Sequence, residues 1–148
     1  MRDYYPILLP ILALVGIGVL SLTAVSRFGG WTALAEQFRC QESFSGPCWN
    51  FQCGQFRWLA KYNNCLTVGA DPRGLFLWVF PLFRIGHPPL FIPWREISVS
   101  RKKVLWVREV RFSLGLGLNI PLTIGENLAR KLQSAAGSSW PLEPVSGR

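Results

Sequence analysis

Cysteine, histidine and carboxylate side chains carry most protein chemistry, and this chain offers four cysteines, one histidine and eight carboxylates. Cys40, Cys48, Cys53 and Cys65 lack the CxxC pairs of a zinc ribbon or a thioredoxin-like site. Cys48 and Cys53, five residues apart, would point to opposite faces of one strand. Small apolar thiols are the plainest reading, with disulfides if the domain faces an oxidising compartment, and metal binding as the remaining option. His87 stands in Gly-His-Pro-Pro, a rigid turn where an imidazole bonded to nearby backbone is expected. A Cys65–His87 nucleophile pair would lack a third orienting group and an oxyanion loop. Asp71 is accounted for by a turn and Glu126 by a helix cap, and no acid/base pair emerges. Gly115 and Gly117 precede a strand rather than a helix, so they do not form a phosphate-binding loop. The chain reads as non-enzymatic, without cofactor, metal or catalytic residues.

Charge is more suggestive. Sixteen Lys and Arg against eight Asp and Glu give +8, and Arg101, Lys102 and Lys103 form a run, with Arg84, Arg95, Arg108 and Arg111 in neighbouring segments. Beside an anionic leaflet each basic residue contributes ~1 kcal/mol. Arg84, Arg95, Arg101, Lys102 and Lys103 are therefore the candidate lipid- or partner-binding residues; a merely solvated basic face is the alternative. Nucleic acid would also suit basic and aromatic content, but the N-terminal segment and the lack of an RNP-like aromatic motif argue against it. Trp78, Trp94 and Trp106 fall in strand-like segments, where core packing is the default. Residues 75–83 are apolar on both faces, which implies burial against another element, a bilayer surface or a partner.

The element that would position these groups is N-terminal. Residues 6–25 read PILLPILALVGIGVLSLTAV without one ionisable side chain. About twenty helical residues span ~30 Å, the thickness of a bilayer hydrocarbon core, and only a helix satisfies its own backbone there. Residues 1–28 are thus expected to form a single-pass transmembrane anchor, with Tyr4, Tyr5 and Trp31 as interfacial aromatics. A cleaved secretory signal is the main competitor, disfavoured by Asp3 beside Arg2, the long apolar run and the poor cleavage match at Ser21-Leu22-Thr23. A buried helix of a soluble protein would need a polar face that this run lacks. Arg2 and the amino terminus nearly balance Arg27 and Arg39, but the remaining basic residues follow the helix, which favours a cytoplasmic C-terminal domain at the cell membrane.

Residues 29–48 form a short helix and linker: Trp31, Leu34, Ala35 and Phe38 repeat at helical spacing, facing the domain or the membrane surface. From residue 49 the period becomes two. Strands are expected over 50–58 with a bulge at Gly54, over 65–70 after a turn at Tyr62-Asn63-Asn64, and over 75–80 after an Asp71-Pro72-Arg73-Gly74 turn, with residues 81–83 continuing the last. Further strands carry Leu90, Ile92 and Trp94, then residues 97–100, then the β-rich stretch 104–114. Residues 118–124 alternate cleanly, and Pro121 points to an edge or a bulge. Thr123 and Glu126 have capping-box spacing ahead of a helix with Leu128, Leu132, Ala135 and Ala136 on one stripe and Gly137 at its stop. Residues 138–148 read as a mobile tail.

The fold class is α+β, mainly β: an N-terminal transmembrane helix, then about six or seven antiparallel strands in a partly open barrel capped by a C-terminal helix. That order over residues 49–137 resembles the pleckstrin-homology-like superfamily, including GRAM and bacterial PH-like domains. Gly74-Leu75-Phe76-Leu77 followed by Ile92-Pro93-Trp94-Arg95-Glu96-Ile97 resembles a pattern of membrane-attached bacterial members, and the wider run is similar to small uncharacterised bacterial membrane proteins. The resemblance implies a non-enzymatic membrane protein presenting a basic domain to lipid headgroups or another membrane protein. Phosphoinositide-reading members carry spaced basic residues around the first hairpin, where this chain has only Arg57 and Lys61. An extracytoplasmic disulfide-containing domain for envelope assembly or sensing, and a thiol-dependent enzyme, are the alternatives.

Overall fold

The computed structural model describes residues 5–58 and 60–144; Arg2, Asp3, Tyr4 and the end of the expected tail lie outside them. α1 (Tyr5–Gly29) covers the uncharged run and continues four residues past it. It is long and apolar enough to cross a membrane. Large apolar side chains from Tyr5 to Leu20 stand exposed along it. A core helix of a soluble domain would instead bury one face.

After the single residue Gly30 comes α2 (Trp31–Phe38). Its predicted apolar face turns into the domain: Trp31 and Leu34 are fully buried and Ala35 and Phe38 pack beside them. The interfacial role expected of Trp31 is thereby corrected.

Seven strands follow: β1 (Cys48–Phe56), β2 (Ala60–Asp71), β3 (Gly74–Val79), β4 (Leu90–Pro93), β5 (Ile97–Val104), β6 (Val107–Leu114) and β7 (Ile120–Gly125), then α3 (Glu126–Ala136). They form one antiparallel half-barrel in the order β4-β3-β2-β1-β7-β6-β5. Two meanders, β1–β4 and β5–β7, thus meet where Gln55 and Phe56 pair with Thr123 and Leu122. The core fills the half-barrel and includes Leu128, Ala129, Leu132 and Ala136 of α3 beside Trp31 and Leu34 of α2.

Several local expectations change. Tyr62-Asn63-Asn64 is not a turn; it lies inside β2, and the chain reverses at Arg57 and Trp58. Ala60 and Tyr62 are core residues, so the strand starts early enough to bury them. The irregularity predicted at Gly54 is present as a register shift between Gln52 and Gly54, preceded by another between Trp49 and Gln52. Phe51 and Asn64 take left-handed backbone there, with φ of 56° and 51°.

Residues 81–83 are a 3-10 turn rather than more strand. Residues 104–114 are split, because β5 runs on to Val104 and the chain reverses at Leu105 and Trp106. Trp106 is consequently 90% exposed instead of packed in a core. Pro121 sits in an interior strand, at the point where β1 is leaving β7; its carbonyl accepts the Arg57 backbone N–H, the bond that ends that pairing.

The capping box is absent. Gly125 is the α3 N-cap and no side chain bonds there. Glu126 instead faces Arg101, Arg108 and Arg130 at 3.5, 3.8 and 3.8 Å. The first part of the expected tail is docked: Trp140 packs on Trp94 and Phe112 at ring-centroid distances of 5.4 and 5.7 Å, and Glu143 meets Arg101 at 2.8 Å. A chain ended after Gly137 should lose about 1–3 kcal/mol, the scale of burying one large side chain. Thermal melting of the two lengths in detergent checks this, and identical curves would return the segment to solvent.

Candidate functional site

Two buried polar residues, Ser26 and His87, lie at the seam between α1 and the β-domain. Gly29 ends α1 so close to β2 that a Cβ there would come within 2.6 Å of the Ala60 Cβ. Gly30 takes φ +91°, a conformation that favours glycine, and turns the chain directly into α2. Two helices therefore meet with no slack between them.

Trp31 then enters the core with its indole fully buried, and its Nε1–H donates to the Pro88 carbonyl at 2.9 Å. Phe56, Tyr62 and His87 surround the indole, with ring centroids 5.3, 5.8 and 5.3 Å away. Ser26, the last polar residue of α1 to be buried, touches Thr32 Oγ1 at 3.0 Å and donates to the Gly86 carbonyl. The Arg57 guanidinium donates to the Phe28 carbonyl at 3.1 Å, which satisfies one of the carbonyls left open at the end of α1. The Gly-His-Pro-Pro turn is thus the socket into which the helix end plugs.

His87 has 0% exposure. Nδ1 lies 2.9 Å from the Ile85 carbonyl, which can only accept, so Nδ1 carries the proton. Nε2 is then the acceptor for the Tyr62 hydroxyl at 2.7 Å. Burial pushes the imidazole below its ordinary range and the phenol well above its own, so both stay neutral. The pair is sealed from solvent and ties strand β2 to the socket. The backbone role predicted for His87 holds, with Tyr62 as a second partner that nothing in the local spacing announces.

Burial pushes the Cys65 thiol up, away from the reactive thiolate range. All four cysteines are unpaired thiols. Among the described residues no group of three His, Cys, Asp or Glu side chains is placed to hold a metal ion.

The five basic candidates fall in three places. Arg84 lies in the loop beside α1, its guanidinium 4.6 Å from the Trp78 ring centroid. Arg95, with Arg73, Phe91 and Pro93, borders a recess of about 760 Å³ under residues 37–45. Arg101, Lys102 and Lys103 share the outer half of β5. Arg101 is committed to structure, joining β5 to Glu126 and Gln133 of α3 and to Glu143. Lys102 and Lys103 are exposed, opposite Glu109 and Arg108 on β6. Apolar residues outside the five candidates also stand out: Trp58, read as a strand residue, and Leu82 and Phe83, read as continuing a strand, are exposed near the seam together with Ile85. For Leu82 and Phe83 the both-faces apolar character of residues 75–83 was the signal; Trp58 and Ile85 lie outside that stretch.

No family model, curated protein or solved structure matches the chain.

His87 gives the seam a pH dependence of definite sign. Its folded pKa lies below the unfolded value of ~6.5, so between the two the unfolded chain binds more protons and stability falls as pH drops. Above ~6.5 both states are neutral and this group contributes no slope. The melting temperature in detergent should fall between about pH 7 and about pH 5, and His87→Gln should flatten that part of the profile while lowering stability throughout. An unchanged slope in the variant would assign the acid sensitivity elsewhere.

Proposed function

We propose that this chain is a non-enzymatic, single-pass protein of the cell membrane, in which α1 spans the bilayer and a PH-like domain on its cytoplasmic side binds anionic lipid headgroups. The observation that carries this is the passage of an exposed apolar helix, without a linker, into a buried seam. A helix built into the domain on one side and wholly apolar beyond it suits a retained anchor better than a leader to be cut away. Support for the PH-like assignment comes from a four-strand and a three-strand meander closed by a C-terminal helix. Support for a reducing, cytoplasmic side comes from four unpaired thiols, two of them exposed.

Arg84 is the sequence candidate best placed for headgroups, because its loop flanks α1, where Arg27 and Arg57 also lie. Lys102 and Lys103 suit a second reading, a protein partner in the membrane. They flank a hairpin tip whose Leu105 and Trp106 are both largely exposed, at the far end of β6 and β7 from the Ile120 that Gly30 touches.

Alkaline extraction should leave the full chain in the membrane fraction, with intact mass beginning at or next to Met1, and a reporter fused after Arg148 should read as cytoplasmic. Phosphatidylglycerol should be enriched among the lipids that co-purify, and Arg84→Gln combined with Arg57→Gln should lower that enrichment several-fold. A mature chain lacking α1 would contradict the anchor. Enrichment abolished by Lys102→Glu and Lys103→Glu instead would move the binding surface to the hairpin.

A further inference from the structure

The exposed apolar side chains near the seam form two groups. In the loop between β3 and β4, Leu82 is 72% exposed, and Phe83 and Ile85 are exposed beside it. At the helix end itself stand Phe28, at the close of α1, and Trp58, 79% exposed at the β1–β2 reversal. Both groups are fastened to α1 itself. Gly86 lies against Thr23 and Ser26, and its carbonyl takes the Ser26 hydroxyl. Arg57, next to Trp58, bonds the Phe28 carbonyl.

Depth follows from helix geometry. The uncharged run ends at Val25, and a helix rises ~1.5 Å per residue. Thr23 and Ser26 therefore lie within ~3 Å, along the axis, of the end of that run. If α1 spans a bilayer, the loop that touches Thr23 and Ser26 is held where hydrocarbon gives way to headgroups. Water is the wrong solvent for Leu82, Phe83 and Ile85, and here another is at hand. Arg27, Arg57 and Arg84 rim the same region with charge of the sign that lipid phosphates attract. Arg84, stacked on Trp78, is an amphipathic side chain of the kind that reaches from an apolar surface to a phosphate.

We infer that residues 80–86 together with Phe28 and Trp58 form a collar around the emerging helix that inserts into the interfacial zone of the leaflet α1 enters. The inference rests on the proposed anchor and adds to it a second, side-on membrane contact. Trp31, which by position alone would be the interfacial aromatic, is locked in the core; Trp58 takes that place. The occupant of the surface is the bilayer itself, because the helix that leaves through the middle of the collar brings it there. The Leu105 and Trp106 tip has no such connection to α1 and serves as the internal comparison.

The full chain in phosphatidylcholine–phosphatidylglycerol vesicles tests this. Its four cysteines are replaced by serine, and an environment-sensitive fluorophore is placed in turn by Leu12→Cys, Trp58→Cys, Leu82→Cys and Trp106→Cys. Lipids carrying a nitroxide deep in the chains should quench the label at 12, and lipids carrying one near the headgroup should quench those at 58 and 82 several-fold more than the one at 106. Quenching at 12 with 58 and 82 no more quenched than 106 would overturn the collar and leave the anchor standing. An unquenched label at 12 would overturn the anchor and the collar with it. Hydroxyl-radical footprinting of the unaltered chain in the same vesicles is independent of the substitutions. Protection of Leu82, Phe83 and Ile85 with labelling of Leu105 and Trp106 supports the collar; equal labelling of both overturns it.

Discussion

A tryptophan in a socket sets the geometry of this molecule. Trp31 is the first residue after the turn that ends α1, and it is fully buried among Phe56, Tyr62 and His87, with its one polar hydrogen satisfied by Pro88. A large aromatic buried this way contributes on the order of several kcal/mol, and withdrawing it would leave a cavity that the surrounding rings could not fill. Gly29 and Gly30 remove the slack that a longer connection would provide. The long helix and the β-domain are consequently packed together at the helix end, which fixes where the surface around the helix exit lies along the helix axis in this structure.

That constraint sorts the polar groups. At the seam the buried polar groups are neutral and paired: the Tyr62 hydroxyl with His87, the His87 Nδ1 proton with a carbonyl, and Ser26 with Gly86. An uncompensated charge in the same place would cost several kcal/mol. Ion pairs lie outside the seam: Arg73 meets Asp71 at the β2–β3 turn, and Arg101 gathers Glu126 and Glu143 and holds α3 and the C-terminal segment to β5. The basic excess is therefore divided between structural duty, at Arg101, and accessible charge, at Arg84 near the seam and at Lys102 and Lys103 on the hairpin.

Much of this was legible in the sequence, and physics explains which part. An uncharged run of bilayer length, the 3.6-residue spacing of Trp31, Leu34 and Phe38, and the alternation around Ile120, Leu122 and Ile124 are periodic signals that one element carries alone. The Asp71 turn was equally readable, because its carboxylate bonds the Arg73 and Gly74 backbone N–H groups two and three residues on. Where a feature depends on a distant partner, the reading failed. Asn63 and Asn64 carry turn chemistry, yet Tyr62 belongs under Trp31 and draws the strand through them. Trp106 looks like core by type but sits at a hairpin reversal whose position is set by the pairing of Val104 with Val107. Glu126 has the spacing of a cap, and Arg101, twenty-five residues earlier, claims it instead. Of the five basic candidates, their grouping in three places follows from sheet order, which local spacing does not encode.

Rigid coupling of helix and domain is the claim from which the rest follows, and a distance across the seam measures it directly. With the four native cysteines replaced by serine, spin labels introduced by Leu20→Cys on α1 and Ser98→Cys on β5, both exposed positions, report that distance by double electron–electron resonance in lipid nanodiscs. One narrow distance distribution, broadened by Trp31→Ala, is the predicted result. A broad distribution in the chain that retains Trp31 would mean that the domain swings on its helix, and would contradict the account.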